Sequence, residues 1–399
     1  MSVSTTDQSP GGQGTGDPRS GDPRATDQAT SDQSPGPSHL SDDPATSPRR
    51  RPRADFHSLV VASVDPLTED SAAITFKVPA DLAADFAFQP GQSLTVRRGE
   101  ERRSYSICAP AGAAPRIGVR EVADGVVSGW LVRTIRPGDT LDVQVPSGTF
   151  TPDLAVPGRH VLIAAGSGIT PMMSIAASVL AADDKSTVTL IYGNRRSDTV
   201  MFADEVADLK DAHPARMHLV HVLSREPQEV ELFSGRLDAG RLTALLPATV
   251  DVAGTDHWWL CGPFGLVTGA TEVLRELGVE PGRIHRELFW VGDGPPIEAT
   301  HEEAPAGAGA SVTIILDGRS TALTLPAGTP ILDGAQRVRP DLPFACKGGV
   351  CGTCRARVTD GAAVMRRNYA LEPAEVEAGY VLTCQALPQT PQITVDYDS

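Results

Sequence analysis

Short runs of alternating apolar and polar residues, separated by Gly and Pro, fill the chain from residue 56 to about residue 150. Such alternation places the apolar side chains of a strand on one face, and Pro-Gly pairs end the runs in turns. Six short strands within about a hundred residues predict a small antiparallel β-barrel. The predicted strands are His57–Val64, Ala73–Val78, Ser93–Arg97, Ser104–Cys108, Arg116–Val122 and Thr140–Val145.

From His160 the pattern changes to nearly continuous apolar runs with helix-like stretches between them. Continuous apolar runs are typical of parallel strands that are buried on both faces. Alternating strands and helices predict an open α/β parallel sheet that binds ligands at the carboxyl ends of its strands. The predicted strands are Val161–Ala165, Thr187–Tyr192, Met217–Val222 and Trp258–Cys261, and the predicted helices are Pro171–Ala182, Met201–His213 and Phe264–Leu277.

The last ninety or so residues follow a stretch of Gly, Pro, Ala and Glu without periodicity, which predicts a linker. A hairpin is predicted from two alternating runs, Ser311–Leu316 and Ser320–Leu325, around the Asp317-Gly318 pair. A short helix at Thr329–Arg337 and a final strand at Gln392–Tyr397 complete an α+β domain. The predicted parts are a tail (1–53), a barrel (54–155), a parallel sheet (156–292), a linker (293–310) and the α+β domain (311–399).

Composition narrows the function. The tail is rich in Ser, Pro, Gly and Asp, so it cannot bury enough surface to offset its ordering entropy, and we expect it to be disordered. The net charge of -15 argues against nucleic acid as a partner. No apolar run approaches the length of a membrane span. The six cysteines do not suit a disulfide framework, which favours a reducing compartment, the cytoplasm.

Four of the cysteines have the spacing C-x4-C-x2-C followed, after 29 further residues, by C. This is the plant-type 2Fe-2S ligand pattern, in which one loop supplies three thiolates and a separate element supplies the fourth. Three glycines in the loop allow the backbone to close on the inorganic sulfides. A structural zinc site is the alternative, but zinc prefers two separated short pairs of ligands. The predicted ligands are Cys346, Cys351, Cys354 and Cys384.

A predicted barrel strand carries Arg103, Tyr105 and Ser106, a combination that suits a flavin. The phenol ring can lie against the isoalloxazine, a hydroxyl can bond a ring heteroatom, and the guanidinium can bind the pyrophosphate. An ordinary exposed strand is the alternative.

Gly125 and Ser128 precede a predicted helix at Gly129–Ile135 and form a candidate phosphate site, or a plain Ser N-cap. Val119 and Arg120 complete the candidate cofactor-binding set of this domain.

The segment Gly166–Pro171 follows a predicted strand and begins a helix. Its glycines, Gly166 and Gly168, allow backbone N–H groups to approach a pyrophosphate, and the start of the helix favours the negative charge. Thr170 and Pro171 belong to the same candidate site, although Pro171 departs from the G-x-G-x-x-G fingerprint. A plain strand-to-helix turn is the alternative.

Three further segments follow strands of the same sheet and are therefore expected at its ligand edge. A Ser and an Arg there suit the 2′-phosphate of NADP, and a Cys-Gly pair suits the flat nicotinamide ring. Surface polar residues, a buried thiol and a core phenylalanine are the alternatives. The candidates are Asn194 and Arg195, Ser224 and Arg225, Cys261 with Gly262 and Pro263, and Phe289, which is placed to close over the flavin.

These motifs, in this order, resemble the ferredoxin–NADP reductase family fused to a plant-type ferredoxin, from about residue 56 to residue 397. The resemblance implies an FAD-binding β-barrel domain, an NAD(P)-binding domain and a β-grasp 2Fe-2S domain. It implies that Tyr105, Ser106 and Cys261 lie at the site of hydride transfer. The family often has a Gly-Gly pair where this chain has Asp124-Gly125.

Within that family, residues 365–373 and 379–385 are similar to the reductase subunits of phenylacetyl-CoA epoxidase. The resemblance implies an acceptor, the di-iron oxygenase subunits of a multicomponent monooxygenase. Nicotinamide gives two electrons as hydride and the cluster accepts one, so a flavin must stand between them. NADPH is the expected donor because of Ser224 and Arg225.

Two other functions stay open on the sequence, a reductase for an aromatic-ring or steroid hydroxylase and a non-enzymatic metal-binding or redox-sensing module. Four basic residues lie near the cysteine loop against an acidic background, and we expect them to help dock an acidic oxygenase surface. A solvated charged face is the alternative. These residues are Lys347, Arg355, Arg366 and Arg367.

Overall fold

Three main sheets are built from residues 56–289 and 309–399, which are the residues that the computed structural model describes. All of them belong to one unit of the chain, Arg50–Ser399. The predicted tail, residues 1–53, lies outside the described residues, as does the predicted linker apart from residues 309 and 310.

The first sheet has six strands, and each pairs antiparallel with its neighbours. All six predicted strands are present, although the first runs on to Thr68 and the fourth begins at Glu101. The helix begins three residues before its predicted start. The elements are β1 (His57–Thr68), β2 (Ser71–Lys77), β3 (Ser93–Arg98), β4 (Glu101–Ser106), β5 (Arg116–Arg120), α1 (Val126–Arg133) and β6 (Thr140–Val143).

The predicted closure of this sheet into a barrel is not seen. The strand order β4-β3-β6-β1-β2-β5 leaves β4 and β5 at the two ends. Closure requires a continuous ladder between the end strands. Among the described residues, the segments at these two ends share the bridge from Ile107 to Ile117 and hydrogen bonds from the Cys108 N–H and thiol to the Arg116 carbonyl, which do not form a continuous ladder.

The alternating pattern explains which face of the first sheet is buried. Leu59 and Val61 on β1 are two positions apart, as are Ile74 and Phe76 on β2, so the members of each pair point to the same face. All four are at most 1% exposed, and Leu131 of α1 packs in the same core. The burial of this face holds the register of β4, which carries the candidate flavin residues.

The second sheet is a five-stranded parallel sheet in the order β11-β10-β7-β8-β9, with helices in the connections. The four predicted strands and three predicted helices are present within one or two residues of their predicted ends. The elements are β7 (Arg159–Ala165), α2 (Ile169–Ala182), β8 (Thr187–Asn194), α3 (Ala203–Ala212), β9 (Met217–Leu223), α4 (Ala239–Thr249), β10 (His257–Gly262), α5 (Phe264–Glu276) and β11 (Ile284–Leu288).

Two elements of this domain, α4 and β11, were not predicted. The signal for α4 is present, because Leu242, Leu245 and Leu246 recur at helical spacing and the Asp238 side chain accepts the Arg241 N–H as an N-cap. For β11 the signal is weak, because its five residues include His, Arg and Glu. It becomes a strand by pairing in parallel with β10 along its whole length.

The third sheet is mixed, in the order β13-β12-β18-β14-β16, with a separate two-stranded sheet of β15 and β17. The predicted hairpin is present, and its turn has positive φ at both Asp317 and Gly318 (54° and 68°). The predicted helix is shorter than expected. The elements are β12 (Ala310–Leu316), β13 (Arg319–Leu325), α6 (Ile331–Ala335), β14 (Arg355–Asp360), β15 (Ala363–Met365), α7 (Pro373–Glu377), β16 (Tyr380–Leu382), β17 (Ala386–Pro388) and β18 (Gln392–Asp396).

This domain is α+β, and its chain ends meet in the middle of the sheet, where β12 and β18 run parallel. Among the described residues, none of the helices has both the length and the apolar character needed to cross a membrane.

Candidate functional site

The loop between β7 and α2 approaches the end of β10 more closely than a side chain would allow. Gly166 has φ of +55°, a left-handed conformation that favours glycine. A Cβ on Gly168 would lie 2.3 Å from the carbonyl oxygen of Cys261. Thr170 and Pro171 are buried in the first turn of α2, where proline's missing N–H breaks no helical hydrogen bond. The start of α2 therefore lies directly against the predicted nicotinamide motif.

A cavity of about 610 Å³, which we call the nucleotide cavity, lies at this edge of the second sheet. Its walls come from the ends of β7, β8, β9 and β10 and from the start of α5, the ligand edge that the parallel sheet predicts. Its predicted lining residues are Arg120, Gly166, Asn194, Arg195, Ser224, Arg225, Gly262, Pro263 and Phe289.

One end of the nucleotide cavity is basic. Ser224 and Arg225 line it together with Arg236, which the sequence analysis did not single out. The Arg225 N–H donates to the Arg195 carbonyl at 2.8 Å, so backbone hydrogen bonding holds the two loops side by side. The Arg195 guanidinium is 3.6 Å from an Asp70 carboxylate oxygen. Several guanidinium groups at one end of the cavity suit an anionic group such as a phosphate.

The predicted flavin residues lie in a row on β4, at the edge of the first sheet. The Tyr105 ring is partly buried against the sheet core, and burial raises the pKa of its hydroxyl. The Arg103 guanidinium is half exposed, 2.8 Å from Glu101, and donates to the Arg102 carbonyl at 2.7 Å. Ser106 is buried. An aromatic ring, a half-exposed guanidinium and a buried hydroxyl are therefore presented along one strand.

The structure brings Ser106 and Cys261 together on a third residue, Glu287. The Ser106 hydroxyl donates to Glu287 Oε2 at 3.2 Å, and the Cys261 thiol donates to the same oxygen at 3.9 Å. Burial raises the pKa of Glu287 to about 7 and also raises the pKa of Cys261. A half-buried carboxyl whose pKa is raised to about 7 can hold or release a proton at this junction of the first two sheets.

Glu287 is the main residue that the sequence analysis missed. It lies on β11, the strand beside β10 in the sheet order. The available signal was an acid in a short, otherwise half-buried strand beside the Cys261 motif. Phe289 itself donates its N–H to the Gly262 carbonyl at 3.1 Å and lines the nucleotide cavity.

The two β5 residues of the candidate set differ in what they can do. Val119 is fully buried in the core of the first sheet, so only its backbone can reach a ligand. The Arg120 guanidinium lines the nucleotide cavity, pairs with Asp70 at 3.1 Å and donates to the Thr199 carbonyl at 2.9 Å. Arg120 therefore links the first sheet to the second domain. It does so beside residues 166–171, which we call the dinucleotide loop.

Gly125 and Ser128 both lie at the start of α1, which begins earlier than the sequence predicts. Ser128 lies inside the first turn of α1, not before the helix, and it is buried. Its hydroxyl accepts the Val122 N–H at 3.1 Å and lies 3.4 Å from the Gly125 carbonyl, so it closes the turn itself. The Gly125 Cα lies so close that a Cβ there would be 2.4 Å from the Ser128 hydroxyl.

The four predicted cluster ligands converge within the third domain. The Cys346 sulfur accepts N–H groups from Gly348, Val350 and Cys351 at 3.3 to 3.5 Å. Hydrogen bonds from the Cys351 thiol and from these N–H groups lower the pKa of Cys346. The Cys354 thiol is likewise hydrogen-bonded to Cys384 and lowers its pKa.

This donor set fits a 2Fe-2S cluster. Paired thiols from one loop and a separate element, with N–H groups directed at sulfur, are the arrangement that such clusters require. Close backbone packing explains one glycine of the loop, since Gly349 has φ of +79° and a Cβ there would lie 3.1 Å from the Arg367 carbonyl oxygen. We call residues 346–354 the cluster loop.

The cluster loop lies against β4, which carries the predicted flavin residues and which we call the flavin strand. The hydroxyls of Thr353, between two ligand cysteines, and Ser104 on β4 are hydrogen-bonded at 3.2 Å. A second cavity of about 600 Å³, which we call the junction cavity, is lined by Cys351, Thr353 and Glu287 among others. The predicted flavin strand, the Glu287 carboxyl and part of the cluster loop therefore share one region of the molecule.

Two family models match parts of the chain. The first, described as an oxidoreductase NAD-binding domain, matches residues 162–272. The second, described as a 2Fe-2S iron-sulfur cluster binding domain, matches residues 314–389. These two matches fall on the second and third domains, which hold the nucleotide cavity and the cluster loop.

The chain is 42% identical over 352 residues to a component of the 1,2-phenylacetyl-CoA epoxidase of Escherichia coli (strain K12), covering 86% of this chain and 98% of that protein. The chain belongs to the ferredoxin–NADP reductase-type oxygenase reductases. This reductase is also 33% identical over 352 residues to the ferredoxin reductase component of 3-ketosteroid-9-alpha-monooxygenase from Rhodococcus rhodochrous, covering 85% and 96%.

Solved structures agree with this reductase fold. Phthalate dioxygenase reductase matches with a TM-score of 0.53 at 23% identity, covering 86% of this chain and 98% of that one, which is a likeness of fold. The FAD/NAD binding domain of nitric oxide dioxygenase from Vibrio cholerae matches with a TM-score of 0.52 at 28% identity, covering 59% and 99%. The reductase is thus an oxidoreductase of the NAD(P)H-dependent kind, and a partner oxygenase is implied.

Proposed function

We propose that this reductase passes electrons from NADPH, through FAD and a 2Fe-2S cluster, to the di-iron oxygenase component of a phenylacetyl-CoA epoxidase. The 42% identity to the Escherichia coli epoxidase component over nearly its whole length supports this substrate system. The likeness to an FAD/NAD binding domain supports FAD as the flavin. The oxygenase, and not this chain, binds the CoA ester.

The observation that carries the proposal is the hydrogen bond between Ser104 and Thr353, beside the Ser106–Glu287–Cys261 junction. It puts the predicted flavin strand between the nucleotide cavity and the cluster loop. When bound, a flavin takes two electrons from nicotinamide as hydride and releases them singly to an iron–sulfur cluster. The position of the flavin strand between the two other sites matches that order of transfer.

The roles of the chain's own residues follow from their positions. Tyr105 provides a ring face against which a flat cofactor can stack, and Arg103 provides a guanidinium for its pyrophosphate. Ser106 and Glu287 are placed to hold a proton at the edge of the flavin site, since the carboxyl titrates near pH 7. Cys261 and its Gly262 neighbour shape the wall against which the nicotinamide would lie.

NADPH is preferred over NADH in this proposal because the nucleotide cavity ends in Ser224, Arg225 and Arg236. A 2′-phosphate adds about two negative charges, and charge-assisted hydrogen bonds to guanidinium groups are stronger than neutral ones. The 2′-hydroxyl of NADH would leave these groups without an anionic partner.

Anaerobic titration with NADPH tests the electron route. The flavin band and then the iron–sulfur bands should bleach as nucleotide is added, with about three electrons taken up per chain, two by the flavin and one by the cluster. A protein purified with ample iron and flavin that shows neither band, or whose cluster is not reduced by NADPH, would contradict the proposal.

A second candidate acceptor is supported by the 33% identity to a ketosteroid monooxygenase reductase component. Purified oxygenase components of both kinds, supplied with this reductase and NADPH, would separate the two. We expect product only with the phenylacetyl-CoA oxygenase.

The proposed function also includes a cytoplasmic location and three domains with the bounds 54–155, 156–292 and 311–399.

A further inference from the structure

The cluster loop has one side that faces the flavin strand and another side that is exposed to solvent. We propose that electrons enter by the side of Thr353 and leave by the side of Cys346, so that the docked cluster domain delivers electrons to an acidic protein acceptor without leaving its position. This inference rests on the proposed electron route. It adds that no swing of the cluster domain is needed.

The docked position is held by contacts with both preceding domains. With the first domain, Ser104 bonds Thr353, and the Arg102 guanidinium lies 4.3 Å from the centre of the Phe344 ring. One contact is made by a residue inside the cluster loop and the other by a residue just before it, and both are made to β4 of the first sheet. They hold the loop against β4, the strand of the candidate flavin residues.

Two further contacts join the cluster domain to the second domain. The Phe264 ring, at the first residue of α5, packs edge-on against Tyr369 with 5.9 Å between ring centres. The Tyr369 N–H donates to the Gly349 carbonyl of the cluster loop at 3.0 Å. His285 Nδ1 lies 3.9 Å from Glu372 Oε1. The loop is thus fixed from two sides, and Tyr369 connects it to the second domain.

The four ligands divide between the two sides of the loop. Cys354 and Cys384 are buried, and Cys351 is half-buried and lines the junction cavity beside Thr353. Cys346 is exposed although the cluster domain is docked. The Cys346 side of the cluster loop therefore faces solvent, while the Thr353 side faces β4.

The exposed side is basic. Lys347 follows Cys346 and is itself exposed, and its ammonium lies 4.9 Å from the centre of the Phe344 ring at the rim of the docked interface. The Lys347 carbonyl accepts the Gln385 side-chain amide at 2.8 Å, and the Gln385 carbonyl accepts the Arg366 N–H at 2.9 Å. Arg367 follows in sequence. These bonds hold the backbone of Arg366 beside Lys347, while the Arg366 guanidinium donates to the Gly328 carbonyl at 2.6 Å. The exposed Lys347 ammonium therefore supplies the positive charge next to Cys346, and such a charge favours an acidic partner.

Arg355, the fourth basic residue of the sequence analysis, does not belong to this side. It pairs with Glu375 at 3.0 Å, lies over the Tyr380 ring at 3.5 Å, and lines the junction cavity. One acidic residue does belong there, since the Lys347 ammonium pairs with Asp333 at 3.1 Å. Asp333 therefore reduces the positive charge that an acceptor meets.

The exit step moves one electron. A cluster held by the four cysteines would be oxidised by one electron, and the acceptor would be reduced by one electron; when a haem protein is used as the probe, its iron would change from ferric to ferrous. No bond forms and no proton is transferred. Cytochrome b5, a small acidic haem protein, is a suitable probe acceptor because its reduction is visible.

Tethering tests whether the cluster domain must leave its docked position. In the full, cofactor-loaded protein, Phe264→Cys and Tyr369→Cys are introduced together and joined by a short bis-maleimide. The matched control is the same double variant treated with a monofunctional maleimide. We expect NADPH-driven reduction of cytochrome b5 to stay within about twofold of the control, since no domain motion gates the exit.

A tethered protein whose cluster is still reduced by NADPH but whose delivery to cytochrome b5 falls by more than about tenfold overturns the inference. Failure of NADPH to reduce the cluster in the untethered control is a failure of the proposed function instead. The two failures are distinguished by following the iron–sulfur bands and the haem band in the same experiment.

Binding measurements on the oxidised proteins test the exit side without turnover. Lys347→Gln should weaken cytochrome b5 binding by about threefold, and Asp333→Asn should strengthen it, because exposed charge pairs contribute up to about 1 kcal/mol. Both effects should diminish as salt rises. Arg357→Gln is the control, since its guanidinium bonds the Ala378 carbonyl. Equal effects of all three substitutions would place the docking side elsewhere and overturn the inference.

Discussion

Replacing Gly168 by alanine tests whether close backbone packing positions the nicotinamide. A Cβ there would lie 2.3 Å from the Cys261 carbonyl oxygen and 2.9 Å from the Gly262 Cα. Both neighbours are backbone, so no side chain can turn away. Ordinary contact begins at 3.4 Å, so the dinucleotide loop and the nicotinamide motif must separate by about 1 Å. Gly168 has φ of -61°, which alanine adopts freely, so this overlap is the source of strain.

A displacement of about 1 Å at reacting groups lowers a rate by on the order of 100-fold. We therefore expect Gly168→Ala to reduce kcat/KM for flavin reduction by NADPH by about that factor, measured by anaerobic stopped flow. Overpacking should lower the unfolding free energy by about 1–3 kcal/mol. Iron content should not change, because the cluster loop lies in another domain.

The control is Gly265→Ala, which lines the same cavity but has no atom within 4 Å of an added Cβ. It should keep kcat/KM within about twofold, since alanine is the better helix former and meets no neighbour. A Gly168→Ala protein that reduces its flavin within about threefold of the wild-type rate would refute the reasoning, because the overlap would then be relieved without displacing the site.

Three further substitutions have expected outcomes. In flavin-free protein, the folded state keeps the Glu287 proton up to about pH 7, whereas the unfolded state loses it near pH 4.5. The free energy of unfolding should therefore fall by about 3 kcal/mol as the pH rises between these two values. Urea titrations measure this fall, and Glu287→Gln should abolish it. Arg225→Ala should raise KM for NADPH by about tenfold and leave NADH unaffected, and equal effects on both nucleotides would contradict the assignment. Cys384→Ser should abolish the iron–sulfur bands and iron content while NADPH still reduces the flavin.

Much of the fold was accessible from local pattern alone. Strands of the first sheet alternate because one face is buried, and strands of the second sheet are continuously apolar because both faces are buried. The failure to predict β11 has the opposite cause. Its consecutive His285, Arg286 and Glu287 make sense only as an edge strand beside β10, and no local property of five residues reveals that neighbour.

The candidate site divides in the same way. The cysteine spacing and the glycines of the dinucleotide loop are local features, because one loop must wrap one ligand, and local sequence is enough to predict them. Arg236 reaches the nucleotide cavity from eleven residues beyond Arg225, at no fixed spacing that a motif could encode. The position of Ser128 inside the first turn of α1, rather than before the helix, is likewise set by the fold.

The sequence by itself predicted the cysteine ligand set and the order of the cofactor motifs, and it indicated an antiparallel sheet, a parallel sheet and an α+β domain, because each depends on residues close together in the chain. Only the tertiary structure decided that Ser106 and Cys261, from two separate strands, both donate to one carboxylate oxygen of Glu287 on a third strand. It also decided which side of the cluster loop meets β4 and which side meets solvent. Contacts between domains depend on packing over long sequence separations, and no pattern within a single segment carries that information.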